Sequence, residues 1–199
     1  MKYIFDFDDV LFNNTKQFKE HMYACLEKAG VSRGKAEEYY NTVRENRFSL
    51  KAFIKTLFAF WGIKKEAEEV YADIMRECPN FLNNELIEAV KRVGVENCYI
   101  VTYGNEEFQK DKVKYSGIGN LFHEDKIIPV TKGKKETVEK ICARNMGQQV
   151  VFIDDKEKFI KEPGLAEIPN LTVIHYKDNL RELIKKIRDK DPGSELRKK

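Results

Sequence analysis

The first twelve residues constrain the fold and the chemistry of this chain more than any other stretch. An apolar, aromatic run over residues 2–5 is typical of a buried strand, and it is followed within four positions by Asp6, Asp8 and Asp9. Burying an unpaired carboxylate costs several kcal/mol, so the cluster is expected at a strand end that faces solvent, a cation or a ligand. Asp6 and Asp8 share a face if the strand geometry continues that far. Two like charges that close favour a hard divalent cation such as Mg²⁺.

The composition is that of a globular protein and excludes bulk disorder. The 199 residues are 42% hydrophobic and 35% charged, which allows one good core carrying a small insert. The 36 basic and 33 acidic residues give a net charge of only +3. Charge therefore does not suggest a nucleic-acid partner, because phosphate-backbone binding normally needs a basic patch.

Cysteine spacing and hydropathy predict a cytoplasmic protein. The four cysteines are scattered and form no CxxC pair, so reduced thiols are expected rather than disulfides or a zinc site. The N-terminal apolar run is broken by Asp6 and does not resemble a signal peptide. No apolar run approaches the ~20 residues that span a bilayer, so no membrane partner is expected. The oligomeric state stays open.

The segment between residues 13 and 94 is predicted to be helical throughout. Apolar residues recur at helical spacing in five stretches, approximately 13–30, 34–43, 49–62, 67–75 and 83–94. Ser49 predicts the start of the third helix and Gly62 its end, and either Asn83 or Asn84 caps the fifth.

From residue 98 onward, predicted strands alternate with predicted helices. The strands cover residues 98–102, 126–130, 149–154 and 171–175, and the helices cover 105–115, 133–144 and a last stretch from 179. With the opening strand, this alternation predicts an α/β fold, a doubly wound (Rossmann-like) parallel sheet of about five strands. Too many helices lie between the first two strands for one crossover, which predicts an insert at 15–82 within a core domain of 1–14 and 83–190. Residues 191–199 are expected to form a flexible tail.

The residues at the predicted strand ends define a candidate site, because ligands of open α/β sheets bind beyond the carboxyl ends of the strands. The first strand ends at Asp6 and Asp8, and the second ends at Thr102-Tyr103-Gly104, where free helix N-terminal amides would form an anion cradle. Lysines follow the third strand at a helix start, and the fourth ends at Asp154-Asp155. Each part alone is a weak signal. Their order on consecutive strand ends argues for a metal held by aspartates beside a bound phosphate.

These motifs resemble those of the haloacid dehalogenase superfamily, in its phosphatase branch, over about residues 1–185. Asp6-Phe7-Asp8 matches the first family motif, Thr102 the second, the region of Lys134 the third, and Asp154-Asp155 the fourth. The helical insert resembles the small helical-bundle cap of the first structural class of the family.

The resemblance implies the catalytic chemistry. Asp6 would attack phosphorus and become a phospho-aspartate. Asp8 would protonate the leaving oxygen and then act as the base for the hydrolytic water. Mg²⁺ would be held by the Asp6 carboxylate, the Asp8 backbone carbonyl and Asp154, with Asp155 bound directly or through water.

The resemblance also implies a phosphate site. The Thr102 hydroxyl and the amides of Tyr103 and Gly104 would bind the phosphoryl oxygens, and a lysine would neutralise their charge. Three lysines compete for that role, namely Lys132, Lys134 and Lys135, and the spacing of Lys134 fits the family best. Asp9 stands where the family usually has glycine, and it either adds charge near the metal or faces solvent.

The predicted function is Mg²⁺-dependent hydrolysis of a small phosphorylated metabolite. Two alternatives stay open, a phosphomutase on the same scaffold and a non-catalytic phosphometabolite-binding protein. A dehalogenase is disfavoured because that branch lacks the second aspartate of the first motif and needs no Mg²⁺. The sequence does not identify the substrate. The predicted helix junction that contains Arg44, Asn46, Arg47 and Phe48 could contact it or form an ordinary polar turn.

Overall fold

The computed structural model describes residues 1–45, 48–177 and 180–189. These residues form five strands: β1 (Lys2–Phe5), β2 (Cys98–Tyr103), β3 (Ile127–Val130), β4 (Val150–Asp154) and β5 (Leu171–His175). They also form the helices α1 (Thr15–Lys28), α2 (Arg33–Val43), α3 (Leu50–Trp61), α4 (Ala67–Arg76), α5 (Asn84–Val93), α6 (Glu106–Tyr115), α7 (Lys135–Arg144), α8 (Glu157–Ile160) and α9 (Leu180–Asp189). Asn46, Arg47 and the predicted tail 191–199 lie outside the described residues.

All five strands are parallel and their order in the sheet is β3-β2-β1-β4-β5. The predicted doubly wound α/β fold with about five strands is therefore confirmed. β1 lies at the centre, between β2 and β4, so the carboxyl ends of these three strands are adjacent. This strand order explains how Asp6, Thr102 and Asp154, which are far apart in the sequence, come to lie at the same edge of the sheet.

Hydrophobic residues cover both faces of the sheet, as the alternation of side chains along a buried strand requires. Tyr3 and Phe5 of β1 belong to one buried cluster, which includes side chains of α5, α6 and α9. Ile4, between them, belongs to the other, which includes side chains of α7 and α8. Helices thus pack on both sides, and the result is a three-layer α/β arrangement.

The helices α1 to α4 follow β1 and occupy the stretch that the sequence predicts as a helical insert, here called the insert. In α3 the apolar stripe Leu50, Phe53, Ile54 and Leu57 is buried. The Ser49 hydroxyl caps the helix start, and a left-handed Gly62 ends the helix. One continuous hydrophobic cluster joins side chains of these helices to those of the sheet. The division into a core at 1–14 and 83–190 and a cap at 15–82 stays a prediction.

The cysteines are all free thiols; Cys25 is half-buried and the other three are buried. In the part of the chain that the structure describes, no helix has the length and apolarity that crossing a bilayer requires.

Candidate active site

The chain leaves the strand conformation at Asp6, and this separates the two aspartates of the first motif. β1 ends one residue earlier, although the Asp6 N–H still donates to the Ile153 carbonyl at 2.9 Å. The backbone then folds back, with the Phe12 N–H donating to the Phe7 carbonyl at 2.8 Å. Asp6 and Asp8 therefore do not share a strand face. Asp6 faces β4 and Lys134, the residue that precedes α7, whereas Asp8 faces α6.

Lys134 lies between two aspartates from neighbouring strand ends. Its ammonium is fully buried, 2.7 Å from Asp6 Oδ1 and 2.6 Å from Asp154 Oδ2. The Phe7 N–H also donates to Asp6 Oδ1, at 2.7 Å. Asp6 Oδ2 accepts no hydrogen bond within the described ranges, so one oxygen of this carboxylate is held while the other is left for chemistry or for a cation.

The start of α7 determines which of the three candidate lysines reaches this cluster. The Glu162 carboxylate accepts the N–H groups of Lys134 and Lys135, at 2.8 and 3.0 Å, and thereby fixes the first turn of the helix. Lys132 is exposed. The ammonium of Lys135 lies 3.5 Å from Glu139, on the outside of the helix. Lys134 alone of the three contacts the aspartates.

Asp6, Asp154 and Asp155 form a group that fits a divalent cation. Each offers one carboxylate oxygen, and these oxygens lie within 4.8 Å of one another. The Asp155 Oδ1 is buried without a hydrogen-bond partner among the described residues, a costly state that a bound cation would relieve. Oxygen ligands of this kind suit Mg²⁺.

The electrostatics of the cluster agree with this fit. Burial raises the pKa of the Asp6 carboxyl to about 7; Lys134 opposes the rise, and Asp154 adds to it. Burial also raises the pKa of Asp155. Negative charge is therefore costly at these positions, and a divalent cation would neutralise it.

Thr102, at the end of β2, is fully buried and is linked to Asp8 through one side chain of α6. The Thr102 hydroxyl donates to Gln109 Oε1 at 3.1 Å, and Gln109 Nε2 donates to Asp8 Oδ2 at 3.0 Å. Asp8 Oδ1 pairs with the Lys112 ammonium. Burial by itself would raise the pKa of Asp8, but Lys112 and the Gln109 hydrogen bond outweigh it and lower that pKa.

The predicted phosphate-binding amide of Gly104 is engaged elsewhere. Its N–H donates to the Val130 carbonyl of β3 at 3.0 Å. Gly104 has φ +152, and a Cβ there would lie 2.7 Å from Gln109 Nε2. Together with Tyr103, Gly104 lines the cleft beside Asp8. The part of Tyr103 and Gly104 in phosphate binding stays a prediction.

Asp9 is part of the turn rather than of the carboxylate group that fits a cation. It has a left-handed backbone, with φ 57. Its Oδ1 accepts hydrogen bonds from the Thr15 N–H at 3.1 Å and from the Thr15 hydroxyl at 2.8 Å. Asp9 therefore ties the turn to the start of α1 and is half-buried rather than free in solvent.

A cleft of about 660 Å³ opens between the helical insert and the strand ends. Asp8, Asp9, Tyr103 and Gly104 lie on the core side of it. Aromatic and basic residues complete the lining, among them Phe18, Lys19, Tyr40, Arg44, Phe48, Phe108, Lys156 and Lys158. Arg44 and Phe48, two of the four junction residues singled out from the sequence, thus face the same space as Asp8.

Sequence reasoning did not identify Gln109, Lys112 or Lys156. The signal for the first two is their spacing, since residues 109, 112 and 113 share one face of α6 and Val113 is a buried apolar residue. Lys156 directly follows Asp154-Asp155. Burial would lower the pKa of its ammonium, but Asp6 and Asp155 raise it.

The comparisons with known proteins bear on the fold. Neither the protein-family models nor the curated proteins give a match. A solved structure of a candidate haloacid dehalogenase-like hydrolase from Burkholderia xenovorans LB400 superposes with a TM-score of 0.67 and 16% identity, covering 87% of this chain and 80% of that one. A candidate beta-phosphoglucomutase from Thermotoga maritima superposes with a TM-score of 0.53 at 18% identity, covering 93% of this chain and 91% of that one. The candidate HAD-hydrolase YfnB from Bacillus subtilis, solved with bound magnesium, superposes with a TM-score of 0.53 at 16% identity. The match covers 90% of this chain and 87% of that one.

At these identities the likeness is one of fold. The superpositions extend over 87% or more of this chain, so they include both the sheet and the helical insert. The resemblance noted from the four sequence motifs is confirmed at this level: the chain has the fold of the haloacid dehalogenase-like hydrolases.

Proposed function

We propose that this protein is a Mg²⁺-dependent phosphomonoester hydrolase that acts on a small phosphorylated metabolite through a phospho-aspartate. The observation that carries the proposal is the Asp6 carboxylate, held through Oδ1 by the buried Lys134 and by the Phe7 N–H while Oδ2 accepts no hydrogen bond within the described ranges. A nucleophile needs one fixed orientation and one oxygen that is not already bonded. Asp6 meets both conditions.

In the first half of the reaction, an Asp6 oxygen forms a bond to phosphorus and the bond to the leaving oxygen breaks. Asp8, two residues further, lines the cleft from which a substrate would approach. Asp8 would give a proton to the leaving oxygen, so that the product departs as an alcohol. Because Lys112 and Gln109 lower the pKa of Asp8 in the free protein, the carboxylate must take up that proton before the leaving group departs. Lys134 offsets negative charge on Asp6 throughout the step.

In the second half, water attacks the phosphorus of the phospho-aspartate. Asp8 takes the proton of this water, and the bond between phosphorus and the Asp6 oxygen breaks to release inorganic phosphate. Thr102, with its hydroxyl at the adjacent strand end, would donate to a phosphoryl oxygen. Mg²⁺, bound by Asp6, Asp154, Asp155 and the Asp8 carbonyl, would supply the positive charge that allows an anionic nucleophile to approach a phosphate.

The lining of the cleft supports a small phosphorylated substrate. Lys19, Lys156 and Lys158 face the cleft, and none of them lies within 4.0 Å of a carboxylate among the described residues. Aromatic rings from both the insert and α6 complete the walls. This mixture suits a compact anionic ligand with an organic body. The four free thiols fit the predicted cytoplasmic location, which belongs to the same proposal.

A phosphomutase is the second candidate, because one structure with this fold is a candidate beta-phosphoglucomutase. On this scaffold Asp8 would return the phosphoryl group to a second hydroxyl of a sugar rather than activate water. Product analysis by ³¹P NMR separates the two: a hydrolase releases inorganic phosphate, whereas a mutase yields a rearranged sugar phosphate.

A phosphatase panel of nucleotides, sugar phosphates and amino-acid phosphates tests the proposal. With Mg²⁺ the wild-type protein is expected to release phosphate from at least one class, and a chelator is expected to abolish the activity. Asp6→Asn should lower kcat by at least about 10³-fold, while Asp125→Asn, at an exposed carboxylate, should leave kcat unchanged. Release of no phosphate from any substrate, or full activity of Asp6→Asn, contradicts the proposal. Binding of a phosphometabolite without turnover would instead favour a non-catalytic binding protein.

A further inference from the structure

The helix α6 carries two buried polar side chains that belong to none of the four motifs. Gln109 is 4% exposed and Lys112 is 3% exposed, and they are three residues apart on one helix face. Glutamine and lysine are rarely buried this completely unless they are paired. Their burial requires an explanation in terms of the groups that they contact.

Gln109 joins the ends of two neighbouring strands. Its Nε2 donates to Asp8 Oδ2 at 3.0 Å and to the Tyr103 carbonyl at 3.2 Å, and its Oε1 accepts from the Thr102 hydroxyl at 3.1 Å. Every hydrogen-bonding atom of this side chain therefore contacts a residue of the candidate site. One amide connects the proposed acid/base to the proposed phosphate ligand.

Lys112 fixes the other oxygen of the same aspartate. Its ammonium pairs with Asp8 Oδ1, and the two side chains are only 4% and 15% exposed. Three aromatic rings surround the ammonium, those of Phe7, Phe12 and Phe108, at 5.7, 5.6 and 4.9 Å from their centroids. The pair is thus largely shielded from water. Away from water an ion pair is strong, and it holds its two groups in a fixed geometry. With both oxygens engaged, the Asp8 carboxylate has a single orientation.

Gly104 provides the space that this arrangement requires. A Cβ at this position would lie 2.7 Å from Gln109 Nε2 and 3.3 Å from its Cγ. A larger residue would therefore displace the amide from Asp8. The glycine of the second motif is explained here by the approach of Gln109.

A purely structural role explains these contacts poorly. Apolar residues of similar volume stabilise a buried site as well as an ion pair does, or better, because no charge must be desolvated. Here the buried polar atoms converge on Asp8 and Thr102, two residues to which the sequence assigns chemistry. We propose that Gln109 and Lys112 are positioning residues that orient the Asp8 carboxylate and couple its orientation to the Thr102 hydroxyl. The inference rests on the proposed function.

The coupling follows from the number of protons available. The Thr102 hydroxyl has one proton, which it donates to Gln109 Oε1. When that proton is donated to a phosphoryl oxygen instead, Gln109 loses a partner on one side of its amide while the other side still holds Asp8. Phosphate binding at Thr102 therefore changes the hydrogen bonding of Gln109, and through this one side chain it affects the orientation of Asp8.

Four variants test the positioning role: Lys112→Met, Lys112→Arg, Gln109→Leu and, as a matched control, Lys114→Met at an exposed lysine of the same helix. The measurements are kcat and KM for a substrate found in the panel, the inhibition constant of inorganic phosphate, and the melting temperature. Lys112→Met and Gln109→Leu should each lower kcat about 10- to 100-fold. Lys112→Arg should recover part of the loss, and Lys114→Met should match the wild type.

A double-mutant cycle with Asp8→Asn separates positioning from direct contact with the substrate. If Lys112 acts through Asp8, adding Lys112→Met to Asp8→Asn lowers kcat no further. An equal loss in both backgrounds overturns the inference, as does full activity of well-folded Lys112→Met and Gln109→Leu proteins. If Lys112→Met does not fold, Gln109→Leu carries the test, because it leaves the Lys112–Asp8 pair in place. An active wild type with unaffected variants contradicts this inference alone, whereas an inactive wild type overturns the proposed function with it.

Discussion

Lys134 shows how one side chain holds the ends of two strands together. Its ammonium lies within 2.7 Å of carboxylate oxygens from Asp6 and Asp154, and all three side chains are at most 3% exposed. A buried ion pair contributes little compared with a well-packed apolar core, but removing one partner leaves a buried charge without compensation. Lys134 therefore controls both the stability of the site and its net charge.

Replacing Lys134 with Met should lower the free energy of unfolding by about 3–5 kcal/mol in the absence of divalent cations. Denaturant unfolding in EDTA measures this change, and Lys132→Met, at an exposed lysine, serves as the control with an expected change within about 0.5 kcal/mol. Mg²⁺ should raise the melting temperature of Lys134→Met more than that of the wild type, because the variant has one positive charge fewer among its carboxylates. A loss below about 1 kcal/mol would show that the carboxylates do not depend on Lys134.

At the residue scale, the sequence predicted the groups that follow strands and missed those on helix faces. Asp6, Thr102 and Asp154 could be placed together because parallel strands end at one edge of a sheet. Gln109 and Lys112 reach Asp8 across 101 and 104 positions of the sequence, and they lie within a helix whose register shows only which face is buried. A polar residue on a buried face indicates that a partner exists, but its identity depends on the tertiary fold.

At the scale of elements, Asn83 links the turn after β1 to the start of α5. Its side chain accepts the Leu86 N–H at 3.2 Å and donates to the Val10 carbonyl at 3.4 Å, and its own N–H donates to the Leu11 carbonyl at 2.8 Å. The sequence left Asn83 and Asn84 as alternative caps. The structure shows that Asn83 is the cap and that Asn84 is the exposed first residue of the helix.

Asn83→Ala should lower the free energy of unfolding by about 1–2 kcal/mol, since it removes a helix cap and leaves the Leu86 N–H without its partner. Asn84→Ala is the matched control and should change it by no more than about 0.5 kcal/mol. Chemical denaturation of the two variants side by side measures the difference. Equal losses in both would contradict the assignment of the cap to Asn83.

The strands and the longer helices were predictable from the sequence, whereas the one-turn helix α8 was not. The five strands, the helices α1 to α7 and the last helix α9 were predicted from hydrophobic patterns with capping and stop residues. The helix α8 has four residues, which is about one turn, so it shows no periodicity that a sequence pattern could reveal. The order of the strands was not predicted, because the hydrophobic pattern of one sequence shows where strands lie but not which strands pair.

At the scale of the whole molecule, the strand order and the insert together bring the residues of the candidate site to one place. Placing β1 between β2 and β4 brings Asp6, Thr102 and Asp154 to one edge of the sheet. The insert follows β1 directly, so α1 and α2 contribute Phe18 and Tyr40 to the cleft beside that edge. The substrate could not be predicted from the sequence, because the wall of the cleft is assembled from segments that meet only in the folded protein.

The central claim is that Asp6 is the nucleophile, and trapping the phosphorylated enzyme tests it most directly. The protein is mixed with Mg²⁺ and a ³²P-labelled substrate, quenched in acid within the first turnover, digested, and mapped by mass spectrometry. We expect one phosphoryl group on Asp6 that hydroxylamine removes, as it does from acyl phosphates, and no label in Asp6→Asn. Turnover without label on Asp6, or label on any other residue, would contradict the claim.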